Sequence, residues 1–143
     1  MVVSVNDPHG LNRFVEAQNP VYETVCSELR AGRKTSHWMW FVFPQLRGLG
    51  QSEKSNYYGL ASRDEAKAYL DHPILGARIR ECTQLVNRVG GRSAHEIFGS
   101  PDDLKFRSSI SLFAAVSDDP VFHEALRTFF GGEMDPATVR RLR

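Results

Sequence analysis

The sequence predicts a mainly α fold, a single compact multi-helix domain over residues 1–143 with about seven or eight short to medium helices. Residues 1–6 are expected to be a flexible N-terminal tail. Three observations predict this class. Good capping side chains recur immediately before prolines, or three residues before a glutamate. Apolar residues between these starts recur at steps of three and four. The one aromatic block that favours a strand has no second strong strand to pair with.

The starts follow in chain order. Asp7-Pro8 and Asn19-Pro20 each place a capping side chain before a proline, whose missing N–H costs nothing in a helix's first turn. Leu11, Phe14 and Val15 supply the apolar face of the first helix. Tyr22, Val25, Cys26 and Leu29 supply that of the second, which Gly32 terminates. Residues 38–43 are read as a short buried helix, with a strand as the alternative because aromatics and valine favour strands. Residues 35–55 are the least regular part, with Pro44, Gly48 and Gly50. Ser62 with Glu65 and Ser93 with Glu96 have capping-box spacing. His72-Pro73 is a weaker start for a helix whose face is Leu75, Ile79, Cys82, Val86 and Val89. Ser100-Pro101 opens a helix expected to be largely buried. Asp119-Pro120 opens one carrying Phe122, Leu126 and Phe129, and Asp135-Pro136 opens the last. Gly90, Gly99 and Gly131 are the remaining expected stops.

Composition narrows the function class. Eighteen basic and seventeen acidic residues leave a net charge of +1, which excludes a disordered polyelectrolyte and does not favour nucleic acid as a partner. A third reading, RNA binding, would need a basic stripe built from Arg30, Arg33, Lys34 and Arg47. Residues 1–5 lack the pattern of a signal peptide, and the longest apolar run, 38–43, falls far short of the roughly 20 residues of a membrane span. The expected compartment is the cytoplasm. Cys26 and Cys82 lie in helical runs and are read as buried reduced thiols, with a disulfide between them as the alternative. His9, His72, His95 and His123 have no ligand spacing, so neither a metal site nor a cofactor motif is expected.

Three segments can carry chemistry. In the first, Arg33, Lys34, His37, Trp38 and Trp40 fall within eight residues. Cations there could meet phosphate while an indole stacks on a base, and His37 suits proton transfer near neutrality. The plainer reading makes the cations helix-end partners and the tryptophans core fillers. In the second, Lys105, Ser108 and Ser109 share a helix face and could hold a phosphate or carboxylate; Arg107 is expected to pair with Asp103 instead. Small serines could equally permit close helix packing. The third joins 45–50 to Tyr57, Tyr58 and Gly59, a lid over the tryptophans or an ordinary surface loop.

The strings LNRFVEAQ at 11–18, SHWMWFVFPQL at 36–46 and FGSPDDLKFRSS at 98–109 resemble the bacterial family called domain of unknown function 1810. The resemblance runs from about Asp7 to the C-terminus and implies a mainly helical fold, with no established activity. Some members are labelled calpastatin, a calpain inhibitor. Calpastatin inhibitory segments are disordered, whereas this composition predicts a packed domain.

The functional expectation is a pocket for an anionic or nucleotide-like small molecule between segments 33–45 and 105–109. Arg33 and Lys105 would neutralise charge, Trp40 would stack, Gln45 and Ser109 would orient the ligand, and His37 is the candidate acid or base. Whether any reaction is catalysed is left open. The alternative is a non-catalytic protein-interaction module using an aromatic patch around Trp38 and Trp40.

Overall fold

A computed structural model describes residues 7–143; the tail expected at 1–6 lies outside them. Ten helices occur among the described residues: α1 (Asn12–Gln18), α2 (Tyr22–Arg30), α3 (Met39–Val42), α4 (Glu53–Tyr58), α5 (Arg63–Asp71), α6 (Leu75–Asn87), α7 (Ala94–Phe98), α8 (Asp102–Val116), α9 (Pro120–Phe130) and α10 (Pro136–Arg141). The mainly α class holds, and short elements account for a count above eight. α4 sits inside the segment that looks least regular. Its N-cap is Ser52, whose hydroxyl accepts from the Ser55 amide without a proline or acidic third residue to advertise it. The short buried helix at 38–43 is α3; among the described residues the β pairing is a single parallel bridge between Leu46 and Leu60.

Several caps form as their spacing predicts. Asp119 and Asp135 accept from Val121 and Thr138 amides with proline in the first turn, and Ser93 and Glu96 complete a reciprocal capping box. At Ser62 only half the box forms. Its hydroxyl accepts from Glu65 N, but the Glu65 carboxylate turns to Ala61 N at 3.0 Å and to Arg13 at 2.9 Å. At four prolines the helix starts late, because proline pre-sets a turn as readily as a first helical turn. Asp7 still caps α1 across that turn, accepting from Leu11 N at 2.7 Å and Asn12 N at 3.0 Å. His72 does the same for α6 with its Nδ1, at 3.1 Å from Ile74 N and 3.2 Å from Leu75 N. After Pro20 and Pro101 the caps are Val21 and Pro101 itself, with no side-chain bond. Gly131 ends α9 in the left-handed conformation, whereas the positive φ expected of Gly90 falls on Gly91.

Two helices organise the packing. α6 lies against α2, α5 and α9, and α8 lies against α5, α7, α9 and α10. α8 buries eight residues, three of them the serines Ser108, Ser109 and Ser111, and so is buried on most of its circumference, as an interior helix is. Phe106 sits at the junction, edge-on to Phe43 at 5.1 Å and stacked on Phe98 at 4.6 Å. Because Phe43 follows α3 and Phe106 lies one residue beyond Lys105, this aromatic contact sets segment 38–45 beside the start of α8.

Candidate functional site

Glu28 anchors the site. α2 turns its carboxylate inward, where Oε1 accepts from Thr35 N at 2.7 Å, Ser36 N at 3.1 Å and Trp38 Nε1 at 3.0 Å. Oε2 accepts from the Ser36 hydroxyl at 2.5 Å. Burial works to raise the carboxyl's pKa. The hydrogen bonds from Ser36, Thr35 and Trp38 outweigh it and hold the pKa at about 2. The chain is thereby pinned at 35–38, and α3 begins immediately afterwards. Trp38 is 1% exposed and packs near Phe43. Trp40, on the next turn of backbone, remains half-buried.

α8 supplies the facing wall. Lys34 donates its amide to Ile97 O at 2.7 Å, and its ammonium lies 2.8 Å from Asp102. Asp102 also faces Lys105 at 3.9 Å. The Lys105 ammonium stands 5.6 Å from the Trp40 ring centroid, and the Lys54 ammonium stands 4.7 Å from it. Beside them a cleft of about 260 Å³ is lined by Gln45, Leu49, Gly50, Pro101, Leu104, Lys105, Ser108, Asp135 and Ala137. The Asp135 carboxylate is already engaged, accepting from Ser108 Oγ, Thr138 N and Thr138 Oγ1.

Of the residues singled out by sequence, Trp40, Gln45 and Lys105 therefore come together. Ser109 is fully buried with no hydrogen-bond partner for its hydroxyl, and Ser108 rather than Ser109 lines the cleft. Arg33 and His37 are exposed, and their side chains enter no hydrogen bond or ion pair among the described residues. Arg107 does not pair with Asp103. It reaches Glu133 and the carbonyl oxygens of Glu133 and Met134, while Asp103 faces His95 at 3.3 Å. The loop at 45–50 is tied down by Arg47 N to Leu60 O at 2.8 Å and Leu60 N to Gln45 O at 2.9 Å. Glu28 and Lys54 were missed by sequence reasoning. An acidic residue seven positions before a Thr-Ser pair carries no local signature, and Lys54 belongs to the unadvertised α4.

The two tryptophans should separate in fluorescence. In Trp40→Phe the remaining Trp38 emission is expected to be blue-shifted and nearly insensitive to iodide. Trp38→Phe, where it folds, should leave emission that iodide quenches. Equal quenching of both would contradict the burial difference.

Among the described residues no helix is long and apolar enough to cross a membrane. None of the described His, Cys, Asp and Glu side chains form a group of three able to hold a metal ion. A family model described as "Protein of unknown function (DUF1810)" matches residues 8–142. The fold is similar to the crystal structure of the conserved hypothetical protein Rv1873 from Mycobacterium tuberculosis, with 58% sequence identity and a TM-score of 0.94 over 95% of this chain and 98% of that one. No curated protein is similar to the chain.

Proposed function

Starting from a chain that belongs to the DUF1810 family of proteins of unknown function, we propose that it binds an anionic, nucleotide-like small molecule at the Trp40–Lys105 cleft. The observation that carries this reading is the pair of ammonium groups, Lys54 and Lys105, held at 4.7 and 5.6 Å from one half-buried indole. An anion between such cations gains charge-assisted hydrogen bonds, and an attached ring gains a stacking surface. The cleft's 260 Å³ lies just under the roughly 300–1,000 Å³ of ordinary ligand pockets. It suits a phosphate with part of a sugar, leaving a base to lie over Trp40 outside. Gln45 offers polar atoms at the wall, whereas Leu104 O and Asp135 engage the Ser108 hydroxyl. Ser109, one residue on, and Arg33 join the proposed set on residue type alone. His37, exposed three residues before Trp40, is the proposed proton donor or acceptor.

Calorimetric titration with AMP, ribose 5-phosphate and inorganic phosphate, with neutral adenosine as control, tests the reading. Binding of at least one phosphorylated compound is expected, weakened roughly 10-fold or more in Lys105→Ala, in line with the loss of about 1.5–3 kcal/mol for a hydrogen bond to a charged group. Absence of binding at millimolar concentrations, or equal affinity in Lys105→Ala, would overturn it. The alternative, a protein-docking surface, has in its favour Leu104, 61% exposed beside the cleft. It has lost Trp38, whose indole is in the core. For a basic RNA-binding stripe, Lys34 is closely paired with Asp102 at 2.8 Å, whereas Lys105 stands farther from the same carboxylate, at 3.9 Å.

A further inference from the structure

A second cavity, of about 560 Å³, opens between α2 and α6 and is lined by Tyr22, Glu23, Cys26, Arg30 and Glu81. Cys26 is 4% exposed on its wall, and Cys82 is fully buried behind it on the facing helix. Four side chains form a hydrogen-bonded chain from Cys26 through Glu81 and Tyr22 to Cys82. The Cys26 thiol donates to Glu81 Oε1 at 3.8 Å, Tyr22 Oη donates to the same carboxylate oxygen, and the Cys82 thiol donates to Tyr22 Oη at 3.9 Å. Two cysteines acting only as small hydrophobes would meet apolar neighbours. Cys82 does border the apolar core, but these two also meet a hydroxyl and a carboxylate, and Arg30 lines the same cavity. Both thiols are free.

We propose that Cys26 and Cys82 form an oxidisable dithiol, in which Cys26 attacks a small hydroperoxide admitted by this cavity and Cys82 resolves the product. The thiolate is the reactive form of cysteine. Interaction with the Cys82 side chain lowers the Cys26 thiol's pKa, against its burial, and the same interaction together with burial pushes the Cys82 thiol well up. The two thiols are thus polarised into attacker and proton holder. In the first step the Cys26 thiolate sulfur bonds to one peroxide oxygen and the O–O bond breaks. For hydrogen peroxide the leaving hydroxide takes up the proton that Cys26 gave up, so Cys26 becomes a sulfenic acid and one water forms. In the second step the Cys82 sulfur bonds to the Cys26 sulfur, the S–O bond breaks, and the hydroxyl leaves with the Cys82 proton as a second water. Two thiols and one peroxide give one disulfide and two waters. The disulfide would join α2 to α6, which already pack together.

The test uses the full chain, reduced and then exposed to hydrogen peroxide, with glutathione at equal thiol concentration as the reference. The expected result is loss of both thiols within a monomer, a Cys26–Cys82 linked peptide on mapping, and full recovery with dithiothreitol. In Cys82→Ala, which puts no new polar group in the buried site, dimedone should label Cys26. In Cys26→Ala, peroxide should consume Cys82 roughly 10-fold more slowly or less, as an inaccessible thiol would be. Survival of both wild-type thiols under conditions that oxidise the glutathione, or disulfides only between copies, would overturn the proposal. The wild-type mapping decides the matter even where a variant fails to fold.

Discussion

Glu28→Ala is expected to destabilise the protein by about 2–4 kcal/mol, because it strands one buried and three part-buried donors, and a buried donor left unpaired costs about 1–3 kcal/mol. The donors are the Thr35 and Ser36 amides, the Ser36 hydroxyl and the Trp38 indole N–H. Glu28→Gln should recover much of the loss, since a carboxamide oxygen in the Oε1 place still accepts from Thr35 N, Ser36 N and the Trp38 indole, and the Ser36 hydroxyl can turn to accept from the carboxamide nitrogen. Urea unfolding at pH 7 measures the loss, and a change below about 1 kcal/mol would show that water replaces the carboxylate. The same residue predicts acid sensitivity. The carboxyl's pKa is depressed on folding, from an ordinary value near 4.5 to about 2. Its contribution is therefore fully present above pH 4.5 and is lost as pH falls towards 2. The linked loss is on the order of 2–3 kcal/mol. Wild-type stability should fall across that window, and the Glu28→Gln variant should show a flatter profile there. A steeper or unchanged acid limb in the variant would assign the effect to other carboxylates.

Gly76→Ala is the second large effect, expected at about 2–3 kcal/mol, at the upper end for overpacking a tight site. α5 ends at Asp71 and α6 begins at Leu75, so the chain reverses through three residues. The first turn of α6 then presses on the last turn of α5. A Cβ at Gly76 would stand 2.0 Å from the Leu70 carbonyl oxygen and 2.9 Å from Arg80 Nη1. The carbonyl is backbone and cannot rotate away. It also accepts from Arg80 at 3.2 Å, and Arg80 in turn binds Asp119 at 2.7 Å at the start of α9. Moving α6 away from α5 would therefore strain the α6–α9 contact as well. Gly76 is required for space and not for a left-handed φ, since its conformation is helical. Thermal unfolding should show a drop of several degrees or more for Gly76→Ala. A Tm within about one degree of wild type would mean that α5 and α6 separate cheaply.

Most of the helical architecture was legible residue by residue. Asp119, Asp135 and Ser93 cap where their spacing says, and the steps of four and three through Leu75, Ile79, Cys82 and Val86 bury the face they mark. Half of the candidate cleft was legible too. Trp40, Gln45 and Lys105 lie near one another, whereas Arg33 and His37 are exposed and Ser109 is fully buried next to Ser108. The Ser36-His37-Trp38 string looked chemical in isolation. Two of its three side chains are instead satisfied by a carboxylate from the preceding helix, and the sequence carries no mark of that pairing.

Sequence alone determined that this chain is helical, and largely where its helices begin and end. Caps, prolines and periodicity act between residues two to four apart, and that range is visible in a linear string. Tertiary structure decided which polar groups meet: Glu28 with 35–38, Lys34 with Asp102, Lys105 with Trp40, Cys26 with Glu81, and Cys82 with Tyr22. Those meetings depend on how α2, α6 and α8 settle against one another through interlocking apolar volumes. Side-chain packing in three dimensions, and no local rule, sets the distances at which cations, rings and thiols can act.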